Sequence, residues 1–316
     1  MKIAMVFPGY GSQFVGMAKE LYDESRLIQE YFEEASNCLN VNFVKLCFAS
    51  SEQDLSRIDN AYEAIFLVSF SIAAYLKQEG IVPEVVAGFG LGEYSALSST
   101  GGLNLPDGLY FLSKYAQFYQ EFLTNADVRI IKVTKLALDR VEKIIEKTAK
   151  RDQGCSVAIR ISDAEGILTG PSAAVERCQT ALTDEGAKVK EMPLGAGLHS
   201  SLMDPVIDQL RAYLEKIDFH DLSVPLISSL TGKMISKGDV VKEYSMQRIQ
   251  QTLYWNSVID QLGKYDIIIE VGPGSTLSRG LAERYPDKKI IAVNKPVDLD
   301  VLKKIVLPQS IETKNE

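Results

Sequence analysis

The stretch Val86-Ala-Gly-Phe-Gly-Leu-Gly-Glu-Tyr-Ser-Ala-Leu97 has the pattern of an apolar strand that stops in a tight turn and opens a helix. Gly88, Gly90 and Gly92 alternate through Phe89 and Leu91. That is the spacing of a nucleophile elbow, G-x-S-x-G, in which a strained strand-to-helix corner lifts one side chain above a sheet. The middle position, where a serine would attack, is Gly90. The corner is kept and the hydroxyl is absent. Only two histidines, His199 and His220, could supply a base, and His199 sits in the Gly- and Ser-rich run Leu194 to Met203. Ser95, Ser200 and Ser201 are candidate replacement nucleophiles, although each reads more simply as a helix-start or helix-face hydroxyl. A second glycine turn, Pro8-Gly-Tyr-Gly-Ser-Gln13, follows the apolar run Ile3 to Phe7 and can turn backbone N–H groups toward a ligand.

The elements that must hold these residues follow from periodicity. Short apolar runs at 3–7, 82–88, 224–229, 265–271 and 290–293 read as buried strands. Helical spacing covers 17–21, 27–38, 41–48, 60–80, 91–99 and 109–123, and the last carries Tyr110, Tyr115, Phe118, Tyr119 and Phe122 as an aromatic stripe that reads as core. The run from Leu194 opens a helix that continues to Lys216, and 245–262 is helical with a break near Trp255-Asn256. Between Val128 and Met192 the order changes to strand, helix, two strands, helix and strand, a ferredoxin-like βαββαβ unit of about 65 residues. The expected fold is therefore α/β: a large, α/β-hydrolase-like domain with a parallel sheet (1–126 and 194–308), an inserted ferredoxin-like subdomain (127–193), and a frayed tail (309–316).

Composition narrows the setting. A chain of 316 residues with 46% hydrophobic content can bury a sizeable core. Its longest apolar run, from Ala64 to Ala74, is shorter than the roughly 20 residues needed to cross a bilayer. No membrane role is expected, and the N-terminal run reads as a first strand rather than a signal peptide, so a cytoplasmic location is expected. Cys38, Cys47, Cys155 and Cys178 are scattered without a C-x-x-C pair and imply reduced thiols, with no metal site. A net charge of -8 without a long basic block argues against nucleic-acid binding.

Taken together, four motifs resemble one family, the malonyl-CoA:acyl carrier protein transacylases and the acyltransferase domains of fatty acid and polyketide synthases. Phe7-Pro-Gly-Tyr-Gly-Ser-Gln13 is similar to FPGQGSQ, Gly88-Phe-Gly-Leu-Gly-Glu-Tyr-Ser-Ala-Leu97 to GHSLGEYSAL, Leu198-His-Ser-Ser-Leu-Met203 to FHSPLM, and Glu270-Val-Gly-Pro-Gly274 to EVGPG. The resemblance implies a serine that attacks an acyl-CoA thioester, a histidine base, two oxyanion-stabilising backbone N–H groups, and delivery of the acyl group to a carrier protein's phosphopantetheine thiol. Carried over, His199 is the base, and the N–H groups of Tyr10 and Leu91 form the oxyanion hole. No bound cofactor is implied; the ligand is an acyl-CoA or phosphopantetheine thioester.

The departures fall on functional positions. Gly90 replaces the nucleophile, Phe89 the preceding histidine and Tyr10 a glutamine. The arginine expected to grip the malonyl carboxylate aligns with Tyr115, with Lys114 beside it, and a tyrosine cannot offer a bidentate charged pair. The family's Asn-x-Pro-x-Gln stretch is replaced by Ile161-Ser-Asp-Ala-Glu165. The expectation is a degenerate acyltransferase that binds acyl carrier protein, a synthase partner or an acyl-pantetheine ligand. The alternative is an active acyltransferase or thioesterase in which His199 activates water or the carrier thiol directly. A single inactivating substitution at 90 would leave Phe89, Tyr10 and Tyr115 unexplained. For a carrier-docking surface, Lys132, Lys135, Lys188 and Lys190 are the candidate cations.

Overall fold

The computed structural model describes residues 1–148 and 154–306; the expected tail 309–316 lies outside them. Among the described residues eleven strands occur in chain order: β1 (Ile3–Phe7), β2 (Val85–Gly88), β3 (Val128–Thr134), β4 (Ser156–Ser162), β5 (Glu165–Pro171), β6 (Lys188–Met192), β7 (Leu226–Ile227), β8 (Met234–Ile235), β9 (Leu253–Tyr254), β10 (Ile267–Val271) and β11 (Lys289–Val293). The first sheet runs β11-β10-β1-β2-β7-β8. Every pairing in it is parallel except β7 with β8. All residues of β1, β2 and β10 are buried, as continuous apolar strands covered by helices on both faces must be.

Register explains why the two glycine turns meet. Phe7 pairs with Gly88 at the last rung of β1 and β2, so Pro8–Gln13 and Phe89–Leu91 leave adjacent strands at the same carboxyl edge of the sheet. Ligands of open parallel sheets bind at that edge. The Phe89 N–H donates to the Phe7 carbonyl at 2.9 Å, tying the turns together. The Gly272-Pro-Gly274 turn leaves β10 beside them, and the buried Glu270 carboxylate accepts from the N–H groups of Leu277 (3.2 Å) and Ser278 (2.7 Å). Glu270 thus stabilises the start of the helix Thr276–Arg284.

The second sheet runs β6-β3-β5-β4-β9, and its first four strands have the ferredoxin-like order with helices Leu138–Thr148 and Ser172–Asp184 between them. Those helices share a separate apolar core with β3, β4 and β5. The fifth strand, β9, is only two residues long and pairs parallel with β4. It lies directly before Trp255, at the break expected in the helical run 245–262, and separates helices Gly238–Gln250 and Trp255–Leu262.

Two further expectations change. The helix expected from 109 begins at Leu105, because the Asn104 side chain accepts from the Asp107 N–H at 2.7 Å and caps it. The run from Leu194 does not open a helix. It forms two single 3₁₀ turns, Leu194–Ala196 and Ser201–Met203, and the helix starts only at Asp204, where Pro205 suits the first turn. His199 lies between the turns with φ +41°, a left-handed conformation that costs a non-glycine residue about 1–2 kcal/mol. The helix Pro296–Val306, absent from the periodicity reading, closes the described chain. Among the described residues no helix is long and apolar enough to cross a membrane.

Candidate functional site

The elbow is built by close approach. A Cβ on Gly88 would lie 2.2 Å from the Glu93 nitrogen, and one on Gly92 would lie 2.2 Å from the Phe7 carbonyl oxygen. Neither contact is possible for a side chain, so both glycines let the helix Gly92–Ser99 seat against β1 and β2. Gly90 differs. It has φ +52°, and a Cβ there would meet nothing within 4 Å. The corner has the left-handed backbone of an elbow, with open space where a side chain would project.

His199 and Gly90 are joined through Arg248. The His199 ring is buried, and its Nδ1 lies 2.9 Å from the Arg248 main-chain carbonyl oxygen. A carbonyl only accepts, so Nδ1 carries the proton and Nε2 is left with its lone pair. Burial, reinforced by the charge of the Arg248 guanidinium, pushes the imidazole down to about 3 against the opposing effect of the carbonyl hydrogen bond. The ring is neutral at ordinary pH.

The Arg248 side chain, 1% exposed, donates from Nε to Glu93 Oε2 at 2.9 Å and from Nη2 to the Gly90 carbonyl. It lies 4.8 Å from the centre of the Tyr94 ring. Glu93 is fully buried and also accepts from the hydroxyls of Ser229 (2.7 Å) and Tyr244. One residue therefore anchors the imidazole with its backbone and the elbow with its side chain.

Tyr10 and Leu91 stand on the facing turns. Gly9 lies so close to the elbow that a Cβ on it would be 3.2 Å from the Leu91 nitrogen. Among the described residues the N–H groups of Tyr10 and Leu91 donate no hydrogen bond. The Tyr10 ring packs over Gly195, and its hydroxyl donates to the Ser56 carbonyl at 2.7 Å. Tyr62 and Tyr119 donate to the carbonyls of Gly195 (3.0 Å) and Leu194 (2.6 Å), bracing the segment that carries His199.

Tyr115 is 4% exposed and packs among the rings of Tyr62, Phe111 and Tyr119. Lys114, expected beside it at the ligand, is not there. One helical step turns it away, and its Nζ bonds Gln117 Oε1 at 3.1 Å and lies 5.5 Å from the centre of the Tyr213 ring. Ser95 is fully buried on the elbow helix and Ser200 is 9% exposed, and neither hydroxyl has a hydrogen-bond partner among the described residues.

A cleft of about 790 Å³ opens between the two sheets' layers, with Gly9 to Ser12 and Phe89 on one side and Lys132, Ile161 to Glu165 and Met192 on the other. Phe89 meets Trp255 edge to face at 5.2 Å in its wall. The cleft size suits a small-molecule ligand. Sequence reasoning missed Arg248, Glu93 and Trp255. Glu93 lies inside the elbow motif and carried the signal of a charge in an otherwise apolar run; Arg248, 155 residues away from Glu93, carried none.

Gly197 offers a direct probe of the imidazole. It has φ +89°, and a Cβ on it would sit 2.9 Å from His199 Nε2. Gly197→Ala is expected to lower stability by about 1–2 kcal/mol through backbone strain. In a Gly90→Ser background it should also slow acylation by about tenfold or more by crowding Nε2, measured as the rate of acyl mass gain. An unchanged rate would remove Nε2 from the chemistry.

Residues 4–299 match the model of the acyl transferase domain family. The chain is 29% identical over 305 residues to the malonyl CoA-acyl carrier protein transacylase of Bacillus subtilis (strain 168), covering 95% of this chain and 96% of that protein. It superimposes with a TM-score of 0.91 on an acyl carrier protein S-malonyltransferase from Vibrio cholerae, at 25% identity, covering 96% of this chain and all of that one. At 24% identity it shares the fold, again with a TM-score of 0.91, of a malonyl-transacylase solved in complex with its type II polyketide synthase acyl-carrier protein, with 96% and 100% covered. The glycine-built elbow, the buried histidine and the two-sheet architecture thus sit within a match that runs nearly end to end, and the chain belongs to the acyl transferase domain family.

Proposed function

We propose that this chain is a malonyl-CoA:acyl carrier protein transacylase-like protein of fatty acid or polyketide synthesis that binds its partner and ligand without ping-pong acyl transfer. Its partner is an acyl carrier protein or a synthase component, and its ligand is an acyl-pantetheine thioester. The observation that carries this reading is Gly90, where the elbow backbone is intact and no side chain fills the open space above it. Without an activated nucleophile, only binding and oxyanion stabilisation by Tyr10 and Leu91 N–H groups remain. The relatives' names support the carrier protein as partner. Calorimetric titration with a cognate carrier bearing an acyl-phosphopantetheine arm tests it. Saturable binding is expected, and no detectable interaction with any cognate carrier would sink the binding role.

A second reading is favoured by the geometry of His199: its ring is held at Nδ1 by the Arg248 carbonyl, with Nε2 making no hydrogen bond among the described residues. Nε2 could accept the proton of water or of the carrier thiol as its oxygen or sulfur attacks the thioester carbonyl. The C–S bond then breaks, and the proton passes from the imidazolium to the departing thiol. Because burial and the Arg248 guanidinium push the imidazole well below its ordinary value of 6.5, such turnover is expected to show no inflection there. It should disappear in His199→Ala; turnover that persists unchanged in that variant rules this reading out.

A further inference from the structure

The cysteines are far apart in sequence, and the fold brings two of them together. Cys155 lies one residue before β4, and Cys178 lies on the helix Ser172–Asp184. Alternation along the strand turns Cys155 to the same face as Val157, and helical spacing puts Cys178 in line with Val175 and Leu182. All five side chains belong to the subdomain core, where Cys155 is 4% exposed and Cys178 1%. Gly170 on β5 lets strand and helix approach here, since a Cβ on it would lie 3.0 Å from Cys155 Cα and 3.3 Å from Val175 Cγ2. The two thiols are hydrogen-bond partners, the Cys155 S–H donating to the Cys178 sulfur. Thr148 Oγ1, at the end of the helix Leu138–Thr148, lies 3.1 Å from the same sulfur. Neither cysteine has a part in acyl transfer or carrier binding as read above.

Cys178 also differs chemically from the other cysteines. The Cys155 hydrogen bond holds it below the ordinary thiol value, with the Thr148 hydroxyl and the Arg177 charge assisting against its burial. Burial pushes Cys47 the other way, and desolvation with the Glu34 charge does the same to the exposed Cys38. The thiolate is the form that attacks peroxides, so oxidation starts at Cys178.

We propose that Cys155 and Cys178 are a peroxide-responsive dithiol–disulfide pair that locks the ferredoxin-like subdomain when oxidised. The Cys178 sulfur attacks one oxygen of hydrogen peroxide, the O–O bond breaks, and a sulfenic acid forms. The departing hydroxide takes the Cys178 thiol proton and leaves as water. The Cys155 sulfur then attacks the Cys178 sulfur, the S–S bond forms as the S–O bond breaks, and the hydroxyl leaves as a second water with the Cys155 proton. Two thiols are oxidised and one peroxide is reduced. The burial of both sulfurs excludes a bulky disulfide such as oxidised glutathione, which leaves a small peroxide as the oxidant. The bond ties β4, whose far end lines the cleft at Ile161 and Ser162, to the helix Ser172–Asp184 and stabilises by restricting the unfolded chain.

The test treats the native full chain with hydrogen peroxide, alkylates the remaining thiols in denaturant and maps the peptides by mass. The expected result is loss of two hydrogens in a Cys155–Cys178 bridge while Cys47 stays alkylatable, with a thermal midpoint about 5 °C higher that dithiothreitol reverses. In Cys155→Ser, Cys178 should accumulate as a sulfenic acid that dimedone traps, with no rise in midpoint. In Cys178→Ser, no dimedone adduct is expected at Cys155. A native chain in which both cysteines stay alkylatable, or in which Cys178 proceeds to sulfinic acid without a bridge, overturns the proposal. A mapped bridge that leaves the midpoint unchanged overturns the lock.

Discussion

Gly90→Ser is expected to acquire an acyl mass on incubation with acetyl-CoA, at a rate about 10³-fold or more above any adduct on the native chain. The open space at Gly90 accepts a Cβ with no neighbour within 4 Å, so the new hydroxyl needs no repacking. Its backbone strain at φ +52° is about 1–2 kcal/mol, which the surrounding turn already imposes. The other parts are in place: an imidazole held at Nδ1, two N–H groups on facing turns without partners among the described residues, and Arg248 tying the imidazole to the elbow. Because Tyr115 stands where the resemblance places the arginine that grips a malonyl carboxylate, and Arg248 is committed to Glu93 and the Gly90 carbonyl, acetyl should load faster than malonyl. Intact-protein mass spectrometry over time reads both results. A folded variant that gains no mass would mean that the imidazole and elbow are not aligned for attack.

Arg248→Met is expected to destabilise the protein by about 3–5 kcal/mol, the largest stability change of any substitution considered. The substitution leaves Glu93, fully buried, without its counter-ion and removes the donor to the Gly90 carbonyl. Ser229 and Tyr244 still donate to Glu93, so the carboxylate is not wholly abandoned, but hydroxyl donors do not replace a paired charge. Removing both partners should be much milder: Arg248→Met with Glu93→Gln is expected to recover about 2 kcal/mol or more. Methionine keeps the main-chain carbonyl that anchors His199 Nδ1, so the variant separates the elbow's support from the base's support. Urea unfolding of the two single variants and the pair measures the coupling. Single-variant losses that simply add would show that the ion pair is not what holds the elbow.

The fold was legible wherever one local rule sufficed. β1 and β10 are unbroken apolar runs, and a parallel strand buried on both faces leaves little other choice. The glycine spacing at 88, 90 and 92 located the elbow: at 88 and 92 only glycine tolerates the close contacts, and at 90 the backbone turns to φ +52°. Sequence order likewise identified the ferredoxin-like unit, since strand and helix periods alternate cleanly there.

What escaped was set by tertiary contact. β9 has two residues and no period to read, yet it joins the second sheet to the segment that carries Trp255. The segment around His199 looks like a helix start, but its glycines and the brace from Tyr62 and Tyr119 hold it as separate turns. Lys114 was placed at the ligand by adjacency to Tyr115, whereas neighbours on a helix point about 100° apart. Arg248 sits on a helix with ordinary composition, and only the fold brings it beneath a turn 158 residues away.

The most direct measurement is the intact mass of the native protein after prolonged incubation with acetyl-CoA and malonyl-CoA, followed by peptide mapping. An unchanged mass is expected, since the elbow presents Gly90 where a nucleophile would stand. A stoichiometric acyl adduct on any side chain, Ser200 and Ser201 included, would contradict the binding role and assign this chain a covalent acyl intermediate of its own.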